Sequence, residues 1–367
     1  MPSQRKNFLH NMHDQIIRLT KELISIPSYK GETKSLLHIL ERSLQELQDF
    51  TIERFTHKFT PSALIYHGLK RPKRFNVLFN AHLDVIPGTT SQFNPYEKNG
   101  KLIGRGAYDM KAAAAVMIAV LKIVAHEVDY SLGLQLVTDE EIGGFNGTKY
   151  QIEQKVDADC VIAGECGTNL DVISLASKGF IWMNIVFRGT SAHGAHLWLG
   201  DNAVWQAQEF LHKLKKLYPV PSKEQWITTI NIASITTPNT TFNKVPDMCS
   251  VLLDIRCIPA DQKHIEQRIR ALLPVSAIAE IVMHEKGYAT NKDNKYVQKL
   301  SGAIKHVIYR QPNIKKSHGA SDLRHFYNAA VIEYGPTGGG QHTDNEWVDI
   351  ESLETYFNIL LDFCKSL

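Results

Sequence analysis

Residues 78–88 read LFNAHLDVIPG and residues 101–111 read KLIGRGAYDMK. Val77-Leu78-Phe79 is a short apolar run that predicts a buried strand, with His82 and Asp84 just past its end. In extended chain, residues two apart face the same way. One of the pair is thus free to bind a metal while the other holds the imidazole, since a ligating histidine commonly gives its second N–H to a carboxylate. Asp109 precedes a long apolar stretch, read as a helix over 109–126. A carboxylate at a helix N-terminus is electrostatically favoured, and its two oxygens can face two cations. A lone His-x-Asp pair is common on surfaces and in cores, so the remaining chain must carry the reading.

Working outward, the 367 residues leave room for two domains. Hydrophobic content of 43% and charged content of 22% match an ordinary globular protein rather than a disordered one. The net charge of +3, with no Lys/Arg run interleaved with aromatics, argues against nucleic acid as a partner. MPSQRKNFLH lacks the apolar core of a signal peptide, and the run 112–121 is too short to span a bilayer. Cys160, Cys166, Cys249, Cys257 and Cys364 show no CxxC spacing, which points to free thiols in a reducing cytoplasm.

The chain alternates elements. Helices are expected over 4–27, 33–47, 109–126 and 146–154, and strands over 51–55, 63–66, 76–80, 133–138 and 160–163. That alternation predicts an α/β sheet covered on both faces. From Leu175 the expected order becomes strand 180–187, helix 202–217, strands 226–235 and 248–257, helix 264–273 and strand 278–284. This is the βαββαβ order of a ferredoxin-like unit. After Gly287 the α/β style returns, with helix 295–309, strand 330–334 and helix 350–363. The expected organisation is a discontinuous catalytic domain (1–175 and 287–367) with an inserted domain (176–286).

Further groups join His82 and Asp109. Glu140 and Glu141 follow the strand 133–138 in TDEEIGG, Glu165 follows 160–163, and His342 lies in GPTGGGQHTDNEW after 330–334. Most stand beyond the C-terminal ends of predicted strands, the edge where α/β sheets bind ligands. Two histidines and three carboxylates suit two zinc ions sharing one aspartate. One glutamate of the Glu140–Glu141 pair is then left over as a general base beside an activated water. Gly338-Gly339-Gly340 lacks the Lys-Ser/Thr of a phosphate loop and reads as backbone freedom around His342.

These segments resemble the co-catalytic dizinc amidohydrolases, the family of acetylornithine deacetylase, succinyl-diaminopimelate desuccinylase, aminoacylase-1 and the glutamate-releasing carboxypeptidases. The matching stretches are AHLDVIPG, GRGAYDMKAA, TDEEIGG, the Glu of AGECG, GTSAHGAHLWLGDNA, GASDLR and the His of GPTGGGQHTDNEW. The resemblance implies a zinc-exopeptidase-like α/β catalytic domain and an inserted domain serving as lid and dimer contact. It implies that His82 and Glu165 bind one zinc, Glu141 and His342 the other, and that Asp109 bridges them through a cis peptide to Met110. Cobalt or manganese are possible substitutes. Asp84 would orient His82, and Glu140 would be the base. His193, in SAHGAH, would polarise the scissile carbonyl from a second copy of the chain. Asn243, Arg256, Gly319 and Ser321 would contact substrate. Cys166 stands where the deacetylase and desuccinylase branch has proline.

The reaction implied is cytoplasmic hydrolysis of the amide of a small N-acyl amino acid or short peptide by a homodimer, a step of the kind used in amino-acid biosynthesis. Ser177-Lys178-Gly179 tilts the expectation toward an acetylornithine-deacetylase-like enzyme. A succinyl-diaminopimelate desuccinylase is next, and a dipeptidase or carboxypeptidase third. Two readings of other classes are a binding protein that has kept the fold, which loss of Glu140 or of a ligand would have signalled, and a thiol enzyme built on Cys166.

Overall fold

The structure, a computed structural model, describes residues 2–165 and 169–367, so Cys166 and the thiol reading that rests on it lie outside the described residues. The chain divides into two compact units. The first runs to Ala176 and also contains Thr290–Lys315 and Ser321–Leu367, and the second comprises Ser177–Ala289 and Lys316–Ala320.

In the first unit the strands lie in the order Thr51–His57, Thr60–Tyr66, Leu132–Val137, Phe75–His82, Ala158–Ala163, Ala330–Glu333, Val172–Ser177. The central strands Leu132–Val137, Phe75–His82, Ala158–Ala163 and Ala330–Glu333 are mutually parallel. The flanking strands run antiparallel. Parallel strands are covered on both faces and read as unbroken apolar runs, and Leu132–Val137 and Ala330–Glu333 are buried at every position. The helix Ala112–Val124, AAAAVMIAVLKIV, is buried nearly all round and packs with the helices Pro2–Ile24 and Ile350–Lys365. Its run of alanines lets those neighbours approach closely. A small antiparallel sheet of Gly338–Gly339, Trp347–Asp349, Lys101–Ile103 and Tyr96–Lys98 joins the two segments that carry Asp109 and His342.

Several helix limits differ from expectation (the helix expected over 264–273 is Ile265–Arg270, that over 4–27 ends at Ile24), and one difference bears on the site. Asp109 (φ −117°, ψ 87°) and Met110 (φ −133°, ψ 33°) are not helical, and the regular helix begins at Ala112. Asp109 thus sits in a turn rather than on the first turn of the helix. Apolar periodicity alone carries the helix too far, because the hydrogen bonds that hold this turn come from a distant residue.

The second unit has the element order strand Gly179–Arg188, helix Ala203–Leu217, strands Thr229–Thr236 and Met248–Cys257, helix Ile265–Arg270, strand Ile278–Glu285. Its four strands are antiparallel throughout, in the order Thr229–Thr236, Met248–Cys257, Gly179–Arg188, Ile278–Glu285. Burial alternates along Met248–Cys257, as it does when one face of a sheet is packed and the other is not. Ile181, Met183, Ile185 and Phe187 meet Phe210 of the long helix to form its core. Cys160, Cys249, Cys257 and Cys364 are buried and free.

Candidate metal centre

The parallel strands deliver the first ligands. His82 closes Phe75–His82, and Glu165 lies two residues beyond Ala158–Ala163, the strand next to it. His82 is 1% exposed, and its Nε2 lies 3.1 Å from Asp109 Oδ1 and 3.9 Å from Glu165 Oε1. Asp109 turns its other oxygen the opposite way: Oδ2 is 3.4 Å from His342 Nε2, which is itself 3.1 Å from Glu141 Oε2. The structure therefore gathers two donor groups, His82–Asp109–Glu165 and Asp109–Glu141–His342, with the donor atoms of each within 4.8 Å of one another. Asp109 is common to both, one oxygen facing each. The Asp109–Met110 peptide is cis, as the resemblance implied.

The ring of His82 is held in an unexpected way. Its Nδ1 lies 3.0 Å from the backbone carbonyl of Asp84 and 3.6 Å from the Asp84 carboxylate. That carboxylate instead accepts the backbone N–H groups of Glu140 (3.2 Å) and Glu141 (3.0 Å). Asp84 thus orients the imidazole through its main chain and secures the Glu140–Glu141 turn through its side chain.

The turn is buttressed from its other end. The carbonyl of Gly143 accepts from Arg324 Nη2 (2.5 Å) and meets His325 Nε2 (3.1 Å). Gly144 has φ 62°, and a Cβ there would lie 1.7 Å from Asp322 Oδ1, so this position demands glycine. GASDLR therefore does structural work behind the turn. Ser321 is buried, and its hydroxyl donates to Glu333 at 2.8 Å.

Electrostatics report a concentration of negative charge. Burial, and then the proximity of Glu165, pushes Glu140 well above the usual carboxylate range. Burial raises Glu165 likewise, with Asp109 adding to it against the pull of His82. Burial, then Glu141, raises Asp84 to about 7 despite the opposing pull of His82. Burial disfavours charge on Asp109 too, but hydrogen bonds from His342 and His82 outweigh it and hold that carboxyl below its ordinary range. Hydrogen bonds to Asp109 and Glu141 raise His342 to about 10. Buried Glu165 Oε1 has no hydrogen-bond partner among the described residues. Crowded carboxylates and an orphaned buried oxygen are what a site for divalent cations presents, so the residues fit two ions.

The other expected residues lie in the second unit, apart from Ser321. His193 is exposed, its Nδ1 accepting the N–H of Ala195 at 3.0 Å. Asn243 is exposed, and its carbonyl accepts the N–H of Gly194. Arg256 pairs with Asp254 at 2.9 Å and stacks 5.2 Å from the Phe180 ring. Gly319 accepts the Ser177 hydroxyl at 2.8 Å. His318, unassigned from sequence, lies 3.3 Å from Glu224 and packs edge-on to Trp226.

Sequence reasoning missed Glu346, Lys111 and the Arg324–His325 pair. Lys111 is fully buried and donates to the carbonyls of Leu23 and Ile26, both at 2.9 Å, tying the Asp109 segment to the end of the first helix. The one available signal for Lys111 is a charged residue at the start of an apolar run, and Glu346, in the polar stretch HTDNEW, carries none beyond lying inside the motif.

This fold, with its paired donor groups, defines a metal-dependent hydrolase of amide bonds. The chain belongs to peptidase family M20/M25/M40, whose model matches residues 78–366. Among curated relatives, it is 29% identical to a succinyl-diaminopimelate desuccinylase of Buchnera aphidicola over 97% of this chain and 100% of that one. It is 27% identical to an uncharacterized metallohydrolase of Methanocaldococcus jannaschii, covering 95% and 99%. Among solved structures, the aminopeptidase PepT of Bacillus cereus superposes with a TM-score of 0.80 at 18% identity over 96% of this chain and 98% of that one. A tripeptidase of Staphylococcus aureus gives 0.77 at 18%, with the same coverage. No described helix is long and apolar enough to cross a membrane.

Proposed function

We propose that this protein hydrolyses the amide bond of an N-succinyl amino acid, in the manner of a succinyl-diaminopimelate desuccinylase. The observation that carries the choice of acyl group is the relative of that name, matched along its whole length. The second unit carries two lysines beside one aromatic ring. Lys178 is buried with its ammonium 5.8 Å from the Trp226 ring, and Lys316 lies 5.3 Å from the same ring. Burial, and then Arg256, lowers the pKa of Lys178. Removal of an acetyl group, favoured by Ser177-Lys178-Gly179, is the second reading.

His82, Asp109 and Glu165 would hold one ion and Asp109, Glu141 and His342 the other, with zinc suited to this donor set and cobalt or manganese as substitutes. Two such ions supply positive charge that acidifies a water and polarises a carbonyl. Glu140, unused as a ligand, takes the proton from the attacking water. A C–O bond forms, the C–N bond breaks, and Glu140 passes the proton to the departing amine, releasing a carboxylate and a free amine. A carboxylate beside the donor groups and bound to neither ion is free to accept and return a proton.

The expected domain limits (1–175 with 287–367, and 176–286) and the ferredoxin-like reading belong to the same proposal, supported by the βαββαβ order and the antiparallel sheet of the second unit. So does a cytoplasmic homodimer in which the second unit serves as lid and dimer contact and His193 acts across to a partner copy. Asn243 and Arg256 are assigned to the substrate carboxylate, and Gly319 and Ser321 to a loop that contacts substrate. Mixing His193→Ala with Glu140→Ala under subunit exchange restores about a quarter of wild-type activity if His193 acts in trans. A mixture that stays inactive after proven exchange excludes it.

The test of substrate is a panel of N-succinyl-diaminopimelate, N-acetylornithine and dipeptides, assayed by release of free amine. The succinyl compound should exceed the others in kcat/KM by about 100-fold, the order of discrimination a single pocket difference gives. Glu140→Gln in the same assay should lose about 10²–10⁴-fold in kcat and keep its metal. Faster turnover of the acetyl substrate or a dipeptide sinks the succinyl reading.

A further inference from the structure

The loop that carries His342 also carries Glu346, four residues on. Glu346 is 1% exposed, yet it faces neither donor group. Its Oε2 accepts from Arg105 Nη1 and from the N–H of Gly106, both at 2.9 Å. Its Oε1 accepts the N–H groups of Tyr108 and Asp109, both at 3.0 Å. Its own carbonyl accepts the N–H of Gly104 at 3.1 Å. One carboxylate therefore fills a concavity of main-chain N–H groups of the kind that binds anions. The turn that makes this concavity requires Gly106 at φ 81°, where a Cβ would come within 2.7 Å of Val85.

Asp109 belongs to neither a strand nor a regular helix, so no ladder of main-chain hydrogen bonds fixes its direction. Its task demands direction, since Oδ1 faces His82 and Oδ2 faces His342. A modest rotation about its backbone would lose one side or the other. The group that grips its N–H is rooted in the strand end that follows His342. The shared aspartate and the more exposed histidine are thereby registered to each other through a single buried side chain.

We propose that Glu346 is a positioning residue for the two-ion site, setting the direction of Asp109 and its spacing from His342. The inference rests on the two-ion reading above and adds a residue that binds neither metal nor substrate. Glutamine at this position keeps the volume but replaces one acceptor oxygen with an NH₂ aimed at N–H donors. The second donor group, which needs both Asp109 and His342, should suffer most. The first keeps His82 and Glu165, which are placed by strands and owe nothing to Glu346.

The experiment titrates the metal-free full chain with Co²⁺, following its visible absorption and the heat of binding. Wild type, Glu346→Gln and Glu346→Asp are compared with Val348→Ala, a fully buried core truncation two residues away. Glu346→Gln should weaken the second ion by about tenfold or more, the usual loss when an outer partner of a ligand is removed, and alter its absorption band. Glu346→Asp, with both acceptors retained, should recover part of that loss, and it carries the comparison if the glutamine variant does not fold. Val348→Ala should lower the melting temperature and leave both affinities and the spectrum unchanged. Equal loss in Glu346→Gln and Val348→Ala would reduce Glu346 to a fold-stabilising residue and overturn the proposal, as would unchanged affinity in Glu346→Gln. Wild type that takes up fewer than two ions fails the two-ion reading itself, and the proposal falls with it.

Discussion

The two halves of the metal centre are built from different material. His82 ends one parallel strand and Glu165 follows its neighbour, so their spacing is set by a ladder of main-chain hydrogen bonds in the core. His342 stands in a loop at φ 60°, its side chain 52% exposed, and Glu141 stands in a single turn held by the carboxylate of Asp84. Asp109 is shared, with 13% exposure. The first half is as rigid as the sheet, whereas the second is assembled by buried polar anchors, Asp84 on one side and Glu346 on the other. An ion in the second half should exchange more readily, because its imidazole is the ligand that solvent can reach.

The largest expected effect comes from truncating each histidine. His82→Ala removes a ring buried in the core together with its contacts to Asp84 and Asp109. It should destabilise the metal-free protein by about 2–4 kcal/mol and abolish the first ion. His342→Ala removes a half-exposed ring whose ion pairs are screened by solvent. It should change metal-free stability by less than about 1 kcal/mol and weaken the second ion alone. Urea unfolding of the metal-free variants and metal content after dialysis read the two effects. Equal destabilisation by both substitutions would mean that the loop half is as firmly built as the sheet half, and the contrast would dissolve.

That contrast also explains what could be read from sequence. His82 and Glu165 follow apolar runs such as Val77-Leu78-Phe79 and Val161-Ile162-Ala163, and strand ends in an α/β sheet are where donors collect. The alternation of elements gave the layered sheet, and the βαββαβ order of the second unit was legible in its spacing. Less could be seen where main-chain groups find partners far along the chain. Asp109 was placed on a helix because Ala112–Val124 is apolar, and only contacts with Glu346, more than 200 residues later, show why the chain turns there first. Asp84 was expected to hold His82 with its carboxylate. That carboxylate lies 3.6 Å from the His82 ring and also accepts the N–H groups of Glu140 and Glu141, a consequence of the tertiary approach of two loops. Arg324 and His325 carry no local sign that they support Gly143.

The smallest effect sharpens the comparison at a single backbone position. His342 holds φ at 60°, in the left-handed region, where an L-residue pays about 1 kcal/mol relative to glycine. Glycine meets no such penalty but loses about 0.5–1 kcal/mol through the greater freedom of its unfolded chain. Alanine combines the left-handed penalty with no side chain to reach Asp109 or Glu141. In the metal-free protein, His342→Gly should therefore be more stable than His342→Ala by a few tenths of a kcal/mol, up to about 1. Both variants lack the imidazole, so their difference isolates the backbone. Parallel urea titrations of the two variants, with identical m-values, measure it. If alanine proves the more stable, the loop does not hold its left-handed turn without metal, and the second half of the site is ordered by the ion rather than before it arrives.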